Sequence, residues 1–349
     1  MKKISSIIIF LCLSLKLMAQ TQVAEFNPGI VAGGVNYALP KTVIKTDMNA
    51  VKVVYTPGEF AKYADRYLHI SGVSTEPSTQ WRVTELQVYL EGVPDTTKVF
   101  TVKLKDKTVA PMAQLTESGV LVAVNTRSDL EKHILPASRT TSHKLEARQY
   151  LTEEILSATS TAKMAQLTAQ EILDIRESKN AIKRGQVESM PQDGASLKIV
   201  LDQLNAQEEA LTQLFVGYTD TTFAAKTFTV LPTGDIDKQI LTRFSRKLGF
   251  VDADDLAGEP YYISVRDQHT VILPSEKEAA KRKIEGLVYN MPSMANVMIS
   301  TMQGMVMERE MPIAQFGTID QLSPTLFNKG ATTRLTLHPA TGGILHLEQ

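Results

Sequence analysis

The chain has 349 residues, with 37 Lys and Arg against 38 Asp and Glu, a formal net charge of −1, and one cysteine, Cys12. So even a balance leaves no basic footprint for nucleic acid. Lys2, Lys3, Lys16 and Cys12 all fall in an N-terminal leader, so the remainder carries 34 basic against 38 acidic residues, a charge of −4, and no thiol for a disulfide, a nucleophile or a zinc site.

That leader has the layout of a secretory signal peptide: a positive start at Lys2 and Lys3, an apolar stretch over residues 4–17, and Leu17-Met18-Ala19 as the cleavage site before Gln20. Ser14 and Lys16 interrupt the stretch, which falls short of the roughly 20 apolar residues that span a bilayer. Leu11 precedes Cys12 where a lipid-anchored leader needs a small residue. The reading is a soluble protein exported to the periplasm or cell surface. No later hydrophobic span or polybasic run suggests a membrane. The remaining chain, roughly 330 residues, suffices for two ordinary domains.

In chain order, residues 20–34 read as an extended arm, and the alternation over 37–55 as one or two strands. Thr56-Pro57-Gly58-Glu59 opens a helix, with Thr at the N-cap, Pro at the first position and Glu three residues on. Phe60, Tyr63, Ala64 and Tyr67 share its face, and 72–80 is loop. Strands follow at 81–90, 98–104, 109–115 and, after the turn Thr116-Glu117-Ser118-Gly119, at 120–124.

Beyond a polar stretch to about residue 143 the period changes. Leu151, Ile155, Ala158, Ala162, Ala165, Ala169 and Ile172 recur at steps of four and three, the seam of a helix. Running from 147 to 185, it would hold about 38 residues and reach roughly 57 Å. Leu197, Leu201, Leu204, Leu211 and Phe215 repeat the steps, with Glu208 the one polar exception, and residues 185–194 reverse the chain between the two. Later strands are expected at 227–231, 239–244, 261–265, 270–273, 284–289, 295–301, 305–309, 333–337 and 343–347, with a charged run at 276–283.

Several phrases recur in combination: Ala169-Gln-Glu-Ile172-Leu-Asp-Ile175-Arg176, then Gly194, Leu204, Glu209, Leu214-Phe215 and Gly217, then Ala314-Gln315-Phe316-Gly317 and Pro339-Ala-Thr341-Gly342. With the leader ending in Met18-Ala19-Gln20, they resemble an uncharacterised family of exported proteins of Bacteroides-type bacteria, a domain of unknown function. The resemblance implies an envelope location and no known activity. The expected fold class is α+β, with β-rich N-terminal and C-terminal units and a long antiparallel helical hairpin between them. The expected divisions are signal peptide 1–19, N-terminal domain 20–125, linker 126–145, helical hairpin 146–216 and C-terminal domain 217–349.

Each candidate chemistry meets a plainer alternative. Met291, Met294, Met298, Met302, Met305, Met307 and Met311 place seven of 13 methionines in 21 residues, which suggests soft-metal binding, Cu(I) above all. The alternative, core packing on a hairpin turning at Gln303-Gly304, is preferred. Ser160 and Lys163 fit S-x-x-K, the nucleophile pattern of serine β-lactamases, without its S-D-N and K-T-G companions. His69, His133, His143, His269, His338 and His346 show no ligand spacing, although His338 and His346 could meet across a terminal hairpin. Asp252, Asp254 and Asp255 lack the donor and glycine of a calcium loop, having Leu256 and Ala257 instead. Asp95-Thr96-Thr97 and Asp220-Thr221-Thr222 fit an O-glycosylation pattern used by bacteria of this resemblance, and both are expected in turns.

No residue is therefore assigned a catalytic, cofactor-binding or metal role. The expected function is a non-enzymatic exported envelope protein with a binding or structural role, with another envelope protein or a glycan as the partner classes considered. The rivals are a periplasmic hydrolase of glycan or peptide using carboxylate chemistry and a Met-rich copper binder.

Overall fold

The apolar runs around residues 37–55 and 81–104 form the two longest elements of the computed structural model, strands β2 (Val35–Thr56) and β3 (Ser78–Lys103). The structure describes residues 22–25, 34–103, 113–129, 135–186, 194–275, 277, 283–327 and 333–349. Residues 1–19 with Cys12, most of residues 20–34, His133 and most of the 276–283 run lie outside the described residues.

Three antiparallel sheets hold these residues. The first orders as β1 (Gln22–Glu25), β3, β2, β7 (Tyr218–Val230) and β6 (Arg139–Thr141). The second orders as β12 (Gly304–Leu322), β11 (Leu287–Thr301), β10 (Glu259–Asp267), β8 (Ile236–Ser245) and β9 (Gly249–Val251). The third orders as β14 (Ile344–Glu348), β13 (Arg334–Leu337), β5 (Leu121–Val124) and β4 (Ala113–Leu115). From Tyr37 to Val51 strand β2 is buried at nearly every position, Lys41, Lys45 and Asn49 being the half-exposed breaks. It reads apolar on both faces because another layer covers each face.

Two interior clusters flank one irregularity. Tyr37 and Leu39 of β2 pack with Leu121, Val288 and Leu335 in a first core, whereas Ile44 packs with Val88, Ile263 and Val297 in a second. Between them the β2–β3 register jumps from Ala38↔Val99 to Pro40↔Pro94, so residues 95–98 oppose Leu39 alone. The extra residues lie in β3 and reverse the face its alternate positions present, so even positions of β3 reach both cores, Phe100 and Val102 the first and Val88 the second. On β2, plain alternation separates Tyr37 and Leu39 from Ile44. Buried Tyr37 fastens the first core: its hydroxyl donates to the Val288 carbonyl at 3.1 Å and accepts from the Val288 N–H at 3.0 Å.

A third core lies under two helices, α1 (Thr161–Lys183) and α2 (Gly194–Val216). Ala165, Ala169, Ile172 and Ile175 of α1 pack with Leu211 and Phe215 of α2, and with Phe60, Ala64 and Leu68 from the short helical segment after β2.

These findings correct the expected fold class. The chain is β-rich, and strands from its two halves share sheets: β7 pairs with β2 from Thr56↔Tyr218 to Ile44↔Val230, and β13 pairs with β5 at Leu335↔Val124. The long helical hairpin over 146–216 is absent. Its expected first arm is broken into a 3-10 turn at Ala147–Tyr150, one helical turn at Glu153–Leu156, and α1. The break falls in Ser157-Ala158-Thr159-Ser160, short polar residues that bond backbone better at caps than inside helices. Ser160 takes the N-cap of α1, its hydroxyl accepting from the Lys163 N–H at 3.3 Å. At 23 residues, α1 reaches about 35 Å. The expected reversal lies partly in 187–193, outside the described residues. Among the described residues no helix is long and apolar enough to cross a membrane.

Candidate functional site

Helix α2 carries two stripes. Leu204, Leu211 and Phe215 turn to the third core. Asn205, Glu208, Glu209 and Thr212, spaced by three, one and three, lie together on a second face. That polar face lines a cleft of about 480 Å³, which Arg176 of α1 and Tyr218 at the start of β7 also line. One further wall is the segment around His143, held by Gln213: its side-chain amide donates to the His143 carbonyl at 2.6 Å and accepts from the Leu145 N–H at 2.6 Å. Gly217 ends α2 with φ of +75°, and a Cβ there would stand 2.3 Å from the Thr56 carbonyl oxygen, so the exit into β7 requires glycine.

Arg176, Asn205 and Glu208 of the lining belong to an ion cluster. Arg176 Nε donates to Glu208 Oε1 at 2.6 Å, Lys179 pairs with Glu208 Oε2, and Lys179 Nζ also donates to Asn205 Oδ1 at 2.8 Å. This explains the one polar residue in the α2 seam. Burial pushes the Glu208 carboxyl up, but the hydrogen bonds and charges of Arg176 and Lys179 outweigh it and hold the group below its ordinary 4.5. Asp95 and Asp267 are likewise held below 3.8: burial raises each, while bonds from Thr97 and Lys41, and from Ser293 and His269, outweigh it. A depressed carboxyl contributes stability above its unfolded pKa and loses that contribution as pH falls through its folded value. Stability is therefore expected to fall on acidification below about pH 4.5, and less steeply in Glu208→Gln. A pH series of urea midpoints checks this; identical slopes for both proteins would contradict it.

The family model described as a domain of unknown function, DUF4831, matches residues 33–345. The chain belongs to that family. No curated protein and no solved structure matches it.

The phrases near the end of this DUF4831 chain meet at one buried junction between the sheets. In the β11–β12 pair the register passes from Met291↔Thr318 to Ser293↔Ile313, so Ala314-Gln315-Phe316-Gly317 is a four-residue bulge opposite Pro292. Proline has no N–H for a ladder and tolerates that position. From the bulge, Gln315 Oε1 accepts from the Thr42 N–H at 2.8 Å, and its Nε2 donates to the Thr42 carbonyl at 2.8 Å and the Pro232 carbonyl at 3.2 Å. Pairing of β7 with β2 stops at Ile44, and the Gln315 amide takes the place of the next backbone group. The Thr42 hydroxyl accepts from the Ala314 N–H and donates to the Ala340 carbonyl, both at 3.0 Å. Asn290 Nδ2 donates to the carbonyls of Pro40 at 2.9 Å and Thr341 at 2.8 Å. Gln315→Leu removes these amide bonds from part-buried backbone, so a loss of about 2–4 kcal/mol in unfolding free energy is expected. A urea midpoint unchanged from the parent would contradict it.

Elsewhere the structure settles most candidates into packing. Met307 and Met311 pack against the second core, and Ala295, Val297 and Ile299 mark that inward face of β11. Met294 and Met298, on alternate positions, face the other way. Met302 lies at the turn, which runs through Met302-Gln303 between paired Thr301 and Gly304, one residue earlier than expected. The methionines are thus divided between two faces and a tip.

Ser160 is a helix cap. His338 sits opposite Gly343 rather than His346, and its Nδ1 accepts from the Ala340 N–H at 3.1 Å. His269 Nδ1 lies 2.9 Å from Asp267 Oδ2, while fully buried Ser293 donates to Asp267 Oδ1 at 2.7 Å. The aspartate stands between serine and histidine, the wrong order for a nucleophilic triad, in which histidine stands between. Among the described residues no group of three or more His, Cys, Asp or Glu could hold a metal. Asp255 Oδ1 accepts from the Ala257 N–H at 2.8 Å, closing an exposed acidic turn. Neither Asp-Thr phrase is in a turn: exposed Thr96 lies in the β3 bulge, and half-buried Thr221 lies in β7, paired with Val53 and Thr141.

Proposed function

We propose that this DUF4831 chain is a non-enzymatic, exported envelope protein of a Bacteroides-type bacterium that binds its ligand in the cleft lined by α2, Arg176 of α1 and the start of β7. The observation that carries the reading is the state of Glu208. It is the partly buried acid of the cleft lining, and Arg176 and Lys179 hold it ionised. A glycan hydrolase needs a carboxylic acid whose pKa is raised so that it can protonate a leaving group. Glu208 is shifted the other way. The division of the methionines between two faces and a turn tip speaks against the copper reading. The leader at residues 1–19 supports export.

Two measurements test this. Intact mass of the natively produced protein from an envelope fraction is expected to match a chain beginning at Gln20. A cytosolic protein with the leader intact would overturn export. The purified mature chain is expected to leave polysaccharide and peptide substrates uncleaved. Turnover that disappears in Glu208→Gln would overturn the non-enzymatic reading.

A further inference from the structure

We infer that the ligand of the cleft is a neutral polyhydroxylated molecule, a segment of uncharged glycan; the inference rests on the binding role proposed above. Of the lining groups, Arg176 offsets one of the two acids Glu208 and Glu209. Lys179, outside the lining but paired with Glu208, offsets the other, so the cluster sums to zero. A site built for an anion would leave cations in surplus, and one built for a cation would leave carboxylates in surplus.

Several hydrogen-bonding groups at the cleft remain unused. The Thr212 hydroxyl is buried with no partner. A buried hydroxyl left unpaired carries a penalty, and a rotation of the Thr212 side chain toward the cleft it lines would let a ligand bond relieve it. Arg176 uses Nε on Glu208 and Asn205 uses Oδ1 on Lys179, leaving the Arg176 Nη groups and Asn205 Nδ2 without partners among the described residues. The Glu209 carboxylate adds acceptors on the same helix face. Donors and acceptors thus stand side by side, the pattern that adjacent hydroxyls match, since each hydroxyl both donates and accepts.

The cleft is open and about 480 Å³, within the usual range of small-molecule sites. Tyr218 supplies one aromatic ring with a polar tip at its edge. Both ends of the Gln213 amide hold the His143 wall, so the groups that remain are presented by α2 and by Arg176 of α1.

The test is a glycan array carrying neutral oligosaccharides, sialylated and sulfated oligosaccharides, and acidic and basic peptides. It is probed with the mature chain and with Asn205→Ala/Thr212→Val, whose fold is checked by thermal unfolding. Expected is saturable binding to neutral glycans, weakened at least tenfold in the double variant. Binding confined to charged glycans or peptides and weakened by the same variant would overturn the inference while leaving the cleft a binding site. Neutral-glycan binding unchanged in the double variant would overturn it as well. No binding anywhere on the array would overturn both the inference and the binding reading. If the double variant alone unfolds, Arg176→Lys, which keeps the charge and removes the guanidinium fork, is expected to give the same tenfold loss.

Discussion

Gly317→Ala is expected to prevent stable folding or to lower the unfolding free energy by more than about 4 kcal/mol, the exceptional end of single substitutions. A Cβ on Gly317 would lie 1.8 Å from the Met291 carbonyl oxygen, 2.8 Å from its carbon and 2.9 Å from the Pro292 Cα. All three neighbours are backbone, so no side chain can rotate away. Relief requires β11 and β12 to part at the bulge, and that movement would carry Gln315 away from Thr42. Gly234→Ala is the control, since nothing lies within 4 Å of a Cβ built there. The expected result is a well-folded control beside a Gly317→Ala protein that is insoluble or melts far below the parent. Matching melting curves would show that the motif glycine is not required for close approach.

Phe215→Ala carries the next largest effect. Phe215 is fully buried in the third core, with its ring centroid 5.4 Å from that of Phe60. Truncation of a buried phenylalanine costs about 3–5 kcal/mol, from lost transfer free energy and the cavity left behind. The damage also reaches the cleft, because Phe215 anchors the same helix that presents Asn205, Glu208 and Thr212. Leu173, 44 % exposed on α1, is the comparison: Leu173→Ala is expected to shift stability by only about 0.5 kcal/mol. Denaturant unfolding of both variants checks the contrast. Equal losses would mean that the helices are not held through the Phe60–Phe215 contact.

Local signals carried the strands further than the architecture. Alternation at 261–265, 295–301 and 305–309 falls within β10, β11 and β12. The apolar run at 270–273 is no strand: Thr270 is drawn to Ser293 and Met294 by hydrogen bonds, and Ile272 is 94 % exposed. The helical period read through Ser157-Ala158-Thr159-Ser160 because a seam of small residues continues across that cap. What no local pattern carries is register between distant strands, which depends on which faces are buried once the layers meet. That is why two β-rich units were expected where β2 and β7, and β5 and β13, share sheets.

The same limit separates the site from its signal. The polar spacing of Asn205, Glu208, Glu209 and Thr212 stands in the sequence, and so does the single acid in an apolar seam. Their meaning depends on Arg176 and Lys179, which reach Glu208 from another helix. Likewise Ala314-Gln315-Phe316-Gly317 is visible as a phrase, but only pairing against Pro292 makes it a bulge, and only the end of β7 pairing leaves Thr42 for Gln315 to bond.

Binding without turnover at the cleft is best tested by hydrogen exchange of the mature chain with and without neutral oligosaccharide, the oligosaccharide being recovered and weighed by mass spectrometry. The result this account predicts is protection concentrated over residues 205–219 with the oligosaccharide intact. Oligosaccharide recovered as smaller products, with cleavage lost in Glu208→Gln, would contradict it.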